Sequence, residues 1–212
     1  MDRKPLEKRQ YNFEVRAENG DGGSIITGRP IVYESRTNLG DFDEIIHSGA
    51  LDKTDLKDVR FLVNHNLSMI PLARSRRNNK NSTMQLSADK EGLGIRVSLD
   101  TENNSEARAL YSAVQRGDIT GMSFMFSIDS EEWEGLDSEH PTRHIKAIGT
   151  VVEVSAVTLP AYEATEINAR ANTDALENAR AAALENARAA AAVETETALE
   201  VEKLKAKYLY NI

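Results

Sequence analysis

The 212-residue sequence contains no cysteine, which removes disulfides, thiolate metal ligands and a thiol nucleophile and leaves any chemistry to oxygen and nitrogen groups. No apolar run approaches the roughly 20 residues of a membrane-spanning helix. The opening MDRKPLEKRQ is charged, with no apolar stretch behind it, so the expectation is a soluble protein without membrane contacts that stays in the cell that makes it. Positive charge is in deficit: 26 Lys and Arg stand against 34 Asp and Glu, for a net charge of −8, and no general basic field draws nucleic acid. The short basic patch Arg74, Arg76, Arg77 and Lys80 reads as a solvated strand end or turn. Aromatic residues are few and unclustered, with a single Trp, which argues against a β-barrel that stacks nucleic-acid bases. Also missing are a Gly-x-Ser-x-Gly elbow, a His-Glu-x-x-His pair, a phosphate-binding glycine loop and a cluster of metal ligands, so neither cofactor nor metal is expected.

What is present is 40% hydrophobic residues, enough for one packed domain with an appendage. Alternation over residues 11–16 puts Tyr11, Phe13 and Val15 on one strand face, and a turn at Asn19–Gly23 leads to an extended run from Ser24 to Tyr33 with a bulge or edge at Gly28 and Pro30. His47 to Leu56 has helical character, with Ser48 as cap and Ala50, Leu51 and Leu56 on one face. Val59, Phe61 and Val63 alternate into His65, which sits at the end of a partly buried strand. Met84 to Ala88 and Leu93 to Leu99 flank the turn Asp89–Gly92 as a hairpin. Ala107, Leu110, Tyr111 and Val114 follow helical spacing up to a Gly117 stop. From Ile119 to Ile128 the period is two again, with Met122, Phe124, Phe126 and Ile128 on one face and Ser123, Met125 and Ser127 on the other, less apolar one. Arg143–Ile148 and Val151–Thr158 read as a last strand pair joined at Gly149 and stopped by Pro160. The fold class is therefore mainly β with a few helices (α+β): a small antiparallel β-barrel with packed helices over residues 1–165.

From about residue 166 the composition turns to Ala, Glu, Arg and Asn without Gly or Pro, and residues 175–182 and 183–190 are both Ala-Leu-Glu-Asn-Ala-Arg-Ala-Ala. Such strong helix formers predict a long helical tail over 166–212. A period of eight displaces Leu176 and Leu184 by roughly 80° around the helix, which is poor coiled-coil patterning. The tail is either an exposed arm or a helix that docks on a scaffold or coat protein. With few large apolar residues it is expected to bury little surface on the domain, and the aperiodic segment Glu163–Thr173 is an accessible place for a cut.

Of four histidines, His47, His140 and His144 lie in turn-rich or polar stretches where exposure is the ordinary explanation. His65 has a strand context, which suits a hydrogen-bonded structural residue or a base. Ser on the polar face of a strand, as at Ser123, is common. The residue pattern alone leaves the function open.

A set of strings in fixed order carries more. They are Gly49-Ala50, Val59-Arg60-Phe61-Leu62-Val63-Asn64-His65-Asn66, Pro71-Leu72-Ala73-Arg74, Gly92-Leu93, Gly117 with Gly121-Met122-Ser123-Phe124-Met125-Phe126, and Val152-Glu153-Val154-Ser155-Ala156-Val157-Thr158-Leu159-Pro160-Ala161. Over roughly residues 25 to 165 the chain resembles the prohead protease family of tailed bacteriophages, whose barrel is shared with the herpesvirus assembly proteases. It departs from the family at Ala73, where Gly is usual, and at Met125, where a small residue is frequent.

The resemblance implies a cofactor-free serine endopeptidase with a Ser, a His and an acid in the chain order His, Ser, acid. Those positions here are His65, Ser123 and Glu153, with Asp100 as the substitute acid and a cross-strand salt bridge as the plain alternative for Glu153. It further implies a substrate in the phage major capsid protein or a scaffold, self-cleavage, and a working place inside the immature procapsid in the host cytoplasm. A homo-oligomer is left open. The competing reading is a capsid scaffold or assembly protein that works through its helical tail, with or without proteolysis.

Overall fold

The computed structural model describes residues 5–11, 15–20, 23–77, 81–158 and 166–210. In chain order the elements are β1 (Glu7–Tyr11), β2 (Val15–Gly20), β3 (Gly23–Val32), β4 (Arg36–Asn38), β5 (Asp43–Ile46), β6 (Asp58–Val63), β7 (Ala73–Arg76), β8 (Met84–Asp89), β9 (Gly92–Leu99), α1 (Ser105–Arg116), β10 (Gly121–Glu134), β11 (Thr142–Val157) and α2 (Glu166–Tyr210). Among the described residues no helix is long and apolar enough to cross a membrane.

The backbone of the fold is the antiparallel ribbon of β10 and β11. On β10, Met122, Phe124 and Phe126 are fully buried against Phe61 of β6, Val97 of β9 and Ile26 of β3 in one core. The ribbon shifts register at Met125/Phe126 and again around Ile128, and such bulges bend a strand and raise its twist. Gly149 lies at this bend: a Cβ there would sit 2.5 Å from Asp129 Oδ1 and 2.8 Å from Ser127 Oγ. The glycine thus permits a close crossing in the middle of β11 and makes no turn. The expected hairpin at Gly149 is one continuous strand.

The barrel expectation also needs correction. Strands run β1-β10-β11-β5-β4 in a seven-stranded sheet, with β6 also on β11 and β7 beyond it; a second sheet has the order β2-β3-β9-β8. The sheets do not close. β11 offers its second edge to β5 at Thr142–Ile145 and to β6 at Glu153–Ala156, both in parallel. Alternation reports which face of a strand is buried, and says nothing of closure or strand direction.

The β8–β9 hairpin forms as expected, and Gly92 is needed there because a Cβ would lie 2.0 Å from the Ile31 carbonyl oxygen. β3 carries its bulge between Gly28 and Ile31. Helix α1 is capped by the Asn104 side chain, which accepts from the Glu106 and Ala107 N–H groups, and ends in a left-handed Gly117. The helix expected over His47–Leu56 is instead a run of single turns, with Ala50 N–H bonded to His47 O, Asp52 N–H to Gly49 O and Thr54 N–H to Leu51 O. Gly49, at φ 86°, breaks the helical path. The expected opening strand splits into β1 and β2, which join different sheets; Phe13, on its expected face, lies outside the described residues. Of the basic patch, Arg74 pairs with Asp58 on the exposed surface, while Lys80 lies outside the described residues.

The tail is the long helix expected, and its first turns pack on the domain. Leu176 is 5% exposed, Thr173 Oγ1 donates to Asp41 Oδ2 at 2.7 Å, and Arg180 donates to the carbonyls of Leu136 and Ser138. From residue 181 to 207 every side chain is exposed. The expectation that the tail buries little therefore fails for these turns and holds beyond them. Of the expected cut segment, residues 163–165 lie outside the described residues and 166–173 are helical.

Candidate active site

The site grows from the junction of β6 with the C-terminal end of β11. After Val63 the chain turns through Asn64 and His65, at φ 50° and 55°, a left-handed pair that costs about 1–2 kcal/mol per residue. Neighbouring bonds hold it in place. Asn64 N–H donates to Ala156 O at 3.0 Å, Thr158 N–H donates to Asn64 Oδ1 at 3.0 Å, and His65 N–H donates to Ser155 Oγ at 3.1 Å.

This turn presents the His65 ring to the face of the ribbon that carries Ser123. Ser123 is paired in register with Ser155, and Met125 with Glu153, so Ser123, Ser155 and Glu153 share one face. His65 Nδ1 bonds Glu153 Oε1, and His65 Nε2 lies 2.5 Å from Ser123 Oγ. Ser155 Oγ donates to the other Glu153 oxygen at 2.6 Å. Ser123, Ser155 and Glu153 have no exposed surface, and the imidazole is 6% exposed. Ser123 Oγ also donates to the Arg9 carbonyl oxygen of β1 at 2.7 Å. A groove of about 460 Å³ flanks the His65 turn, lined by Val63, Asn64, Met69, Leu110, Ala113 and Ile119.

The three site residues expected from the sequence are thus adjacent, although they come from the turn after β6, from β10 and from β11. Asp100 is elsewhere: its carboxylate accepts from the Asn103 N–H and side chain in the turn before α1. The face of β10 that carries Ser123 is as buried as the opposite one, since Met125 and Ser127 are covered too. Ser155 went unread in the sequence, though its i+2 spacing from Glu153 was a signal that it shares the face. His47 and His144, expected to be exposed, stack on each other with Nε2 and Nδ1 2.8 Å apart, half-buried between Glu34 and Glu134. His140 meets Asp43 at 3.0 Å.

A second polar cluster, partly buried, adjoins the site and gave no sequence signal. Arg9 of β1 grips Glu44 of β5 with two bonds of 2.6 and 2.7 Å, and Glu7 of β1 is gripped by Arg143 of β11 at 2.8 and 2.9 Å. Arg143 also bonds Glu131. Burial pushes the Glu7 carboxyl up, but the Arg9 charge and the hydrogen bonds from Arg143 outweigh it and hold the group below its ordinary range. Burial alone would lower Arg143, yet Glu7, Glu44 and Glu131 raise it.

Comparisons with known proteins bear on what this arrangement serves. The prohead protease of Enterobacteria phage HK97 is 28% identical over 162 residues, which are 74% of this chain and 65% of that protein; the chain therefore spans about 65% of the length of this relative. The solved bacteriophage T4 capsid assembly protease aligns with a TM-score of 0.45 and 12% identity, covering 75% of this chain and 100% of that one. The sequence model of the caudovirus prohead serine proteases matches residues 11–179, from the end of β1 into the docked turns of α2, and the chain belongs to that family.

Proposed function

We propose that this chain is a serine endopeptidase of procapsid maturation in which Ser123 is the nucleophile, His65 the proton carrier and Glu153 the orienting carboxylate. The observation that supports this reading is the hydrogen-bond chain Glu153–His65–Ser123, in the order acyl transfer requires. Ser123 Oγ attacks the carbonyl carbon of the scissile peptide while His65 Nε2 takes the hydroxyl proton. The tetrahedral intermediate collapses as Nε2 passes that proton to the departing amine, leaving an acyl group on Ser123. Water then repeats the sequence and releases the acid. Glu153 accepts from Nδ1–H throughout, which leaves Nε2 free to act and offsets the charge on the imidazolium. Ser155 holds the second carboxylate oxygen and keeps Glu153 aimed at the ring. The groove beside His65 suits an apolar side chain of the substrate.

Family membership supports a coat or scaffold protein as substrate, cleaved inside the immature shell, and the chain itself as a second substrate. Residues 1–165 carry the chemistry in this reading, and the tail from 166 to 212 serves delivery into the shell. Leu184, Val193, Leu199 and Leu204, each more than half exposed, support an attachment role for the tail alongside proteolysis. The experiment is to incubate purified full-length protein with the coat protein of its own phage and sequence new N-termini. Products are expected from the wild type and none from Ser123→Ala or His65→Ala, each assayed below its own melting temperature so that the variant is folded. Wild-type cleavage by either variant refutes the assignment.

A further inference from the structure

Ser123 is fully buried, yet a nucleophile must come within about 3–3.5 Å of a substrate carbonyl. β10 is paired along both edges at this point: β11 lies on one side and β1 on the other, with Gln10 of β1 opposite Ser123. The hydroxyl has one proton and two acceptors within reach, the Arg9 carbonyl at 2.7 Å and His65 Nε2 at 2.5 Å. A proton donated to the carbonyl is not available to the imidazole. The strand that covers Ser123 thus also competes for the proton on which its activation depends.

We propose that the β10 edge beside Ser123 is the docking edge for an extended segment of the substrate, and that β1 is its resident occupant, an autoinhibitory strand that leaves before catalysis. This rests on the assignment of Ser123 as nucleophile. Removing β1 exposes a row of main-chain donors and acceptors beside the nucleophile, which an extended polypeptide completes by strand addition. The occupant is anchored by side chains as well as by its backbone. Glu7 and Arg9 reach Arg143 and Glu44 through four bonds of 2.6 to 2.9 Å, so the latch is ionic and separate from the Ser123–His65–Glu153 chain. A neighbouring chain's β1, or any substrate segment that pairs with β10, competes for the same edge.

The test uses the absence of native cysteine. Lys8 and Met125 are directly opposite across β1 and β10, close enough in such a pair for a disulfide with modest adjustment. The full-length Lys8→Cys/Met125→Cys protein is compared oxidised and reduced, with coat-protein cleavage and Ser123 labelling by a fluorophosphonate as readouts. Locking β1 is expected to slow both at least ten-fold, with recovery on reduction. In the opposite direction, Glu7→Gln leaves Arg143 with Glu44 and Glu131 and is expected to speed labelling several-fold. Equal rates in the oxidised and reduced forms, or no faster labelling in Glu7→Gln, overturn the proposal. Failure of the nucleophile assignment reads differently: cleavage by the reduced protein then survives Ser123→Ala.

Discussion

The β10–β11 ribbon supports two polar clusters that differ in kind. One is a line, Glu153–His65–Ser123, that ends in a hydroxyl and contains one ring able to accept and release a proton. The other is a closed set, Glu7, Arg9, Glu44, Glu131 and Arg143, in which every carboxylate faces a guanidinium. Arginine keeps its charge at any ordinary pH, so the second cluster holds elements together and moves no proton. Burial reaches both, through Arg9, Glu44 and Arg143 in the second, and therefore does not mark the reactive one; the ordering of unlike groups does. β1 joins the two, because Arg9 places its side chain in the ionic cluster and its carbonyl on Ser123.

Substitutions separate the clusters by what each one loses. The largest effect is expected from Ser123→Ala, a fall in cleavage rate of about 10⁴-fold or more in protein that remains folded. Glu153→Gln should lose about 10²- to 10⁴-fold in kcat with KM little altered, since the amide leaves the ring without its ionised partner. Asp100→Asn should be near wild type, and a greater loss there than at Glu153 would reassign the acid. In the ionic cluster, Glu44→Leu should cost about 3–5 kcal/mol in denaturant titration by stranding buried charge, with labelling per folded molecule faster than wild type because β1 loses its Arg9 anchor.

Acid should discriminate the clusters as well. The folded-state value of Glu7 lies below the ordinary 4.5, so its contribution to stability is complete above that value and is lost as pH falls through the lower one. Wild type should accordingly exceed Glu7→Gln in urea midpoint near neutrality and converge with it in strong acid. A constant difference across pH would mean that Glu7 acts through packing and not through charge.

The smallest effect concerns the tail, where two identical octapeptides meet different surroundings. Leu176 in the first is 5% exposed and Leu184 in the second is 54% exposed. Truncation after Ala182 should leave the unfolding free energy within about 0.5 kcal/mol of wild type and cleavage in solution intact. Truncation after Arg170 removes the Leu176 and Arg180 contacts and should destabilise measurably more.

Much of this was legible where local chemistry decides structure. Period-two patterns located β6, β9 and β10; helical spacing and Gly117 marked α1 and its end; family strings brought out His65, Ser123 and Glu153. Local patterns misled where distant partners decide. Gly149 read as a turn because glycine serves both turns and close crossings, and only Asp129 and Ser127 across the ribbon tell which. The barrel was inferred from alternation, which is blind to the division of one β11 edge between β5 and β6. The ionic cluster joins residues more than a hundred positions apart, as with Glu7 and Arg143, and charged residues in a sequence read as solvated until their partners are placed.

The central claim is that His65 activates Ser123. Its most direct measurement is fluorophosphonate labelling of the full-length protein, followed by peptide mapping. A single adduct on Ser123 is predicted, absent from Ser123→Ala and formed at least about 100-fold more slowly in His65→Ala. An adduct on another serine, or equal labelling of Ser123 in His65→Ala, would contradict it.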